Sequence, residues 1–211
     1  LVEALRLRKQ LGLPAFTVLS CDNLQNNGHL THQAVSDYAQ KIDTELAEWI
    51  EANATFPCSM VDRISPAITD QEHQEMSLLL GVDDPCGVVC EPFRQWFIED
   101  NFVGDKPQWD KVGAQFVPDV IPFEQMKLRM LNGSHSFLAY LGYLGGYDFI
   151  SQTMADKNYR QATLELMTKE QSTTLNMPAD ANVDVEKYAA QLIERFSNPN
   201  LKHRTWQIAM D

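Results

Sequence analysis

Apolar residues recur at steps of three and four along most of this chain, while short apolar runs of strand type occur only in its first half. The opening LVEALRLRKQLGLPAF reads as an amphipathic helix, closed by the break at Gly12, Leu13 and Pro14. Residues 16–20 (FTVLS) then form a β-rich run. From about residue 31 to 53, Val35, Tyr38, Ala39, Ile42, Leu46, Trp49 and Ile50 predict one amphipathic helix. Residues 59–64 are the next strand candidate. Thr69 and Glu72 read as a capping box, opening a helix that Gly81 ends. Residues 87–90 are a third strand candidate and residues 115–117 a short fourth. This alternation predicts an α/β layer with strands buried between helices.

From residue 122 the pattern is helical. Helices are expected at 122–144, near 159–168, and at 185–196, where Tyr188, Leu192, Ile193 and Phe196 share a face. The loop at 176–184 is polar and carries Pro178. The change of pattern falls at 117–122, between Pro118 and Pro122, which sets the expected domains at 1–118 and 119–211.

Composition narrows the function classes. The 211 residues are 44% hydrophobic and 22% charged, enough for a real core in one large or two small domains. A formal net charge of -12 argues against a nucleic-acid partner, because such binders carry a basic face. No apolar run approaches the roughly 20 residues that cross a bilayer. No signal peptide is evident, and the chain starts without methionine inside a helical pattern, as a piece of a longer protein would. Cys21, Cys58, Cys86 and Cys90 form no paired motif of zinc spacing and read as reduced thiols of a cytoplasmic protein. No metal site is expected.

The candidate chemistry lies in residues 122–136, PFEQMKLRMLNGSHS. At about 100° per residue, with Lys127 at zero, Glu124 sits near 60°, His135 near 80° and Asn132 near 140°. Leu128, Leu131 and Leu138 share that arc, so it faces a core or a cleft. A lysine in an apolar cleft can give up its proton and act as a base, while asparagine and histidine donate hydrogen bonds to an oxygen gaining negative charge. The same residues would also serve as satisfied structural groups. Residues 20–28, SCDNLQNNG, follow the first strand candidate, either as a ligand loop or as an Asx-rich turn. Asp62 and Arg63 stand at a strand end, where an ordinary ion pair is the simpler reading, and Glu91–Trp96 (EPFRQW) reads as packing of charge with aromatics. Arg204 is suited to a carboxylate or to solvent.

The strings SCDNLQNNG, FPCSMVDRI, CEPFRQWFIEDNF and PFEQMKLRMLNGSHSFLAYLGYLGGY, together with the Lys-x-x-x-x-Asn-x-x-His pattern, resemble the mannitol dehydrogenase family over the whole chain. These are long-chain, metal-independent, NAD-dependent dehydrogenases of polyols and sugar acids. The resemblance implies an α/β Rossmann-like portion followed by a mainly α-helical substrate domain, with the active site in the cleft between them. It implies that Lys127 is the catalytic acid/base, that Asn23 and Asn132 polarise the reacting oxygen, and that His135 holds substrate and oxygen. Glu124 matches a glutamate on a proton path to the lysine. Val61 and Asp62, with Asn23, lie beside the nicotinamide of NAD, and Arg204 lies on the substrate side. Arg94 is added for a substrate carboxylate from its setting alone. The branch it resembles most implies interconversion of D-fructuronate and D-mannonate. Alternatives are mannitol, altronate or another small-molecule polyol as substrate, or a catalytically inactive scaffold piece. The family's glycine-rich nucleotide turn is expected before residue 1, since no G-x-G-x-x-G occurs here, and further helices are expected after residue 211.

Overall fold

The computed structural model describes residues 1–179, 181 and 183–210. The polar loop expected at 176–184 falls partly outside them. The chain divides into two compact units, Leu1–Asp62 with Gln95–Glu124, and Arg63–Arg94 with Gln125–Asp211.

The first unit is α/β. Helix α1 (Val2–Gln10) buries Val2 and Leu5 against α2 (Asn27–Ile42) and α3 (Thr44–Asn53), in a core with Val18, Val35, Leu46 and Ile50. The single helix expected over 31–53 is therefore two. Asp43 leaves the helical region at φ -164° and ψ 105°, and its carboxylate accepts the Leu46 N–H at 3.1 Å, capping α3. A three-stranded sheet runs in the order β1 (Ser59–Asp62), β2 (Gln95–Glu99), β3 (Gln115–Val117). β1 and β2 are antiparallel, with Ser59 opposite Ile98 and Asp62 opposite Gln95. β2 and β3 are parallel. Phe97 of β2 stacks on Phe123 at 4.0 Å.

Two strand expectations are corrected. Residues 16–20 form only a bridge, Thr17 to Thr55, with the Val18 N–H on the Thr55 carbonyl. Residues 87–90 are not a strand: Gly87 closes a turn onto the Asp84 carbonyl, beneath the side chain of Met76. The central strand is instead β2, whose WFI core lies beside charged residues, so that its pattern reads as packing of charge with aromatics rather than as a strand.

The second unit is almost wholly helical. Helix α4 (Asp70–Leu80) has the expected capping box between Thr69 and Glu72, and Gly81 ends it at φ +72°, a conformation glycine adopts without strain. α5 (Ile121–Met126), within which the units divide, runs into a π-helical stretch, Lys127–Asn132, and then α6 (Gly133–Leu144). α7 (Ile150–Ala155), α8 (Lys157–Glu165), a second π stretch (Leu166–Gln171), α9 (Val185–Phe196) and α10 (Thr205–Ala209) follow. Their shared core includes Met126, Met130, Leu138, Met154, Met167, Leu192 and Phe196. In α9, Tyr188, Leu192, Ile193 and Phe196 are all buried, as their spacing requires. Among the described residues no helix is long and apolar enough to cross a membrane, and the four cysteines are free.

Candidate active site

In the first unit, one buried side chain builds the loop that carries Asn23. Asn27, 1% exposed, donates its amide N–H groups to the carbonyls of Ser59 (2.8 Å), Asp22 (3.0 Å) and Ser20 (3.3 Å). Its Oδ1 accepts the Ser59 N–H at 2.9 Å. The Asn27 amide thus exchanges both hydrogen bonds with the main chain of Ser59, as a neighbouring strand would. The Ser59 hydroxyl adds a 2.6 Å bond to the Ser20 carbonyl. Gly28 permits this closeness, because a Cβ there would lie 2.5–2.7 Å from the backbone of Phe56, Pro57 and Cys58. Asn26, in the left-handed region at φ 53°, donates its N–H to Glu124 Oε1 at 3.0 Å. So the structure brings Glu124 to the loop that begins SCDN. Asn23 itself is exposed, Val61 is half-buried and Asp62 is 1% exposed at the end of β1.

In the second unit, Lys127 opens the π stretch, Asn132 closes it and His135 stands in the first turn of α6. The Gly133 N–H reaches back five residues to the Leu128 carbonyl. A turn that closes on the fifth residue advances by a smaller angle per residue than an α-helix, in which positions 127 and 132 stand about 140° apart. The sequence shows both residues but not the widened turn between them. π turns of this kind concentrate at functional sites. Gln171 of the second π stretch supports it, accepting the Ser134 hydroxyl at 3.1 Å, with its amide nitrogen so near Gly133 that a Cβ would lie 2.9 Å away. Lys127 is 6% exposed and Asn132 half-buried.

The His135 ring stacks on Phe196 at 4.8 Å and 22°, and meets His203 edge-on at 4.6 Å and 83°. Burial pushes its pKa down to about 3, with the charges of His203 and Arg195 acting in the same direction. His135 is therefore neutral at physiological pH rather than an imidazolium. Arg204, beside His203, is exposed at the N-cap position of α10 without a side-chain cap bond, with its guanidinium 5.8 Å from the Phe149 ring. Arg94 is exposed.

The buried arginine of this unit is one that the sequence did not single out. Arg195 is held by Glu91 through bonds of 2.7–3.2 Å, with both side chains almost fully buried. Glu91 also accepts the Ile64 N–H at 2.6 Å, and Phe93 lies 3.9 Å from the Arg195 guanidinium. The packing read for residues 91–96 holds at Glu91 and Phe93. The partner of Glu91 is 104 residues away, beyond any local signal. Asn27 was equally hidden inside a loop of four asparagines and aspartates.

Comparison with known proteins adds the wider frame. The family model described as the mannitol dehydrogenase Rossmann domain matches residues 1–111, and that of the mannitol dehydrogenase C-terminal domain matches residues 119–211. The chain is 64% identical over its whole length to D-mannonate oxidoreductase of Escherichia coli (strain K12), and spans 43% of that protein. A crystal structure of D-sorbitol dehydrogenase in substrate-free form superposes with a TM-score of 0.91 at 40% identity, over 99% of this chain and 43% of that one. Pseudomonas fluorescens mannitol 2-dehydrogenase, in a ternary complex with NAD and D-mannitol, gives 0.84 at 41% identity, over 98% of this chain and 42% of that one.

Proposed function

The chain belongs to the mannitol dehydrogenase family, and from that premise we propose that it carries the catalytic centre of an NAD-dependent sugar-acid oxidoreductase that interconverts D-fructuronate and D-mannonate. The observation that carries the reading is a nearly buried Lys127 at one end of a π turn, Asn132 at the other, and a neutral His135 in the next turn.

NAD, when bound, supplies or takes up the hydride. The residues present fit its nicotinamide end: half-buried Val61 offers an apolar face to a flat ring, beside Asp62 at the carboxyl end of a strand. The phosphate cradle of such cofactors needs a glycine-rich turn, and no G-x-G-x-x-G occurs in this chain. In oxidation, the Lys127 amine accepts the proton of the reacting hydroxyl; in reduction, its ammonium returns that proton to the forming alkoxide. The Asn132 amide donates to that oxygen, and Asn23 is the second donor that the family resemblance implies. A single such donor is typically worth about 10²–10³ in kcat. Neutral His135 adds a hydrogen bond without competing for the proton. Glu124 belongs to the proton path, and Arg204, with Arg94, is the candidate for the substrate carboxylate.

A sugar acid is favoured over a polyol because identity is 64% to D-mannonate oxidoreductase, against 40–41% to the sorbitol and mannitol enzymes. In the full-length protein, Lys127→Ala should lower kcat by about 10²–10⁴. Activity near wild type at every pH would refute the lysine mechanism. Comparing kcat/KM for D-mannonate, D-mannitol and altronate with NAD tests the substrate; preference for D-mannitol would reverse that assignment.

A further inference from the structure

Resting on the role just proposed for His135, we propose that Arg195, locked by Glu91, is a positioning residue for that histidine: it fixes the register of α9, and so the Phe196 ring on which the imidazole stacks. Arg195 and Phe196 are consecutive residues at the end of α9. The first is clamped by the Glu91 carboxylate at 2.7–3.2 Å and lies against Phe93 at 3.9 Å; the second forms the floor of His135 at 4.8 Å. A shift of α9 along its axis would break the clamp and tilt the imidazole together. His203 closes the open edge of the ring, and its own backbone is tied down where its carbonyl accepts the Ile150 N–H at 3.0 Å.

A second argument comes from energetics. Replacing a buried ion pair by apolar side chains is often neutral or stabilising, so stability alone gives little reason to bury one here. Orientation and local charge give a reason. The charged and titratable groups acting on His135 are His203, from the segment before α10, and Arg195, from α9, with Glu91 joined to Arg195. Arg195 keeps positive charge near the ring and so disfavours the imidazolium.

The test uses the full-length protein labelled with ¹⁵N-histidine, with the His135 signal assigned by its loss in His135→Asn. Arg195→Met leaves the Glu91 carboxylate without its counter-charge. The double variant Glu91→Gln/Arg195→Met removes both charges and keeps the fold accessible if the single variant does not fold. The His135 titration midpoint should rise, further in the single variant than in the double. kcat should fall about tenfold in both, since small displacements of a reacting group cost at least that much. Arg195→Lys, which keeps the charge but loses the fork, should restore the midpoint and only part of kcat. An unchanged midpoint in the folded double variant overturns the proposal, and so does a shifted midpoint with wild-type kcat. Should His135→Asn itself keep full activity, the fault lies in the role given to His135, and the titration still judges Arg195.

Discussion

Asn27→Ala isolates the device that holds the SCDN loop. The substitution removes the amide that exchanges hydrogen bonds with both the N–H and the carbonyl of Ser59, at 2.9 and 2.8 Å. It also frees the Asp22 and Ser20 carbonyls from their bonds to that amide. Asn27 is 1% and Ser59 2% exposed, so the Ser59 groups are left in the interior. Each unsatisfied buried group costs about 1–3 kcal/mol, and the two together place the destabilisation at about 2–6 kcal/mol. Asn27→Asp should be worse still, because it keeps the acceptor for Ser59 but turns the donating nitrogen into an oxygen facing three carbonyls. Asn23→Ala, at an exposed position, should change stability by no more than about 0.5 kcal/mol while lowering kcat/KM. Urea unfolding followed by tryptophan fluorescence reads this region directly, since Trp96 of β2 lies opposite Val61 of β1 and stacks near Trp109 at 5.2 Å. A loss below about 1 kcal/mol for Asn27→Ala would show that the edge of β1 is satisfied without the asparagine, and the strand-mimic argument would fail.

Two further outcomes follow from local chemistry. His135 has a folded pKa of about 3, below the ordinary histidine value, so between the two the unfolded chain binds more protons than the folded one. Stability is therefore full above about pH 6.5 and falls as pH drops toward 3, by at most about 1.4 kcal/mol per unit from this group. His135→Asn should flatten the slope of unfolding free energy between pH 4 and 6.5, and an unchanged slope would remove His135 as its source. Thr69→Ala breaks the capping box of α4, a helix with no buried residue to hold it. The expected cost is about 1 kcal/mol, with faster amide exchange confined to residues 70–80, and Glu72, whose pKa the Thr69 bonds hold down, moving toward its ordinary value. Exchange rates unchanged in α4 would refute the role of the cap.

What the sequence reveals and hides divides along a physical line. Local periodicity and caps carry α4 and α9 nearly to the residue, because Thr69, Glu72 and Gly81, or the Tyr188 to Phe196 stripe, act within a few positions of one another. The same local logic fails at Asp43, where one capping carboxylate overrides a continuous apolar stripe and splits a helix. It fails again at β2, whose identity as the central strand depends on partners at residues 59–62 and 115–117 rather than on its own pattern. The groups that orient the candidate site are the least legible. Asn27 finds Ser59 across 32 residues, and Glu91 finds Arg195 across 104; neither pairing leaves a spacing signal.

The π turn is where sequence and geometry combine. Lysine, asparagine and histidine at positions 127, 132 and 135 can be read from the sequence, and an α-helical wheel puts them on one broad arc without bringing Asn132 into line with Lys127. Widening one turn costs helical hydrogen-bond geometry, yet it sets Lys127 and Asn132 at the two ends of a single stretch of rigid backbone instead of on a loop. Gln171, from a second π stretch, then occupies the space at Gly133 and binds Ser134. The two irregular turns touch directly, through the Ser134 hydroxyl and the Gln171 amide. The precision of the candidate site therefore depends on Gly133, Ser134 and Gln171, residues with no chemistry of their own, as much as on the lysine that first draws notice.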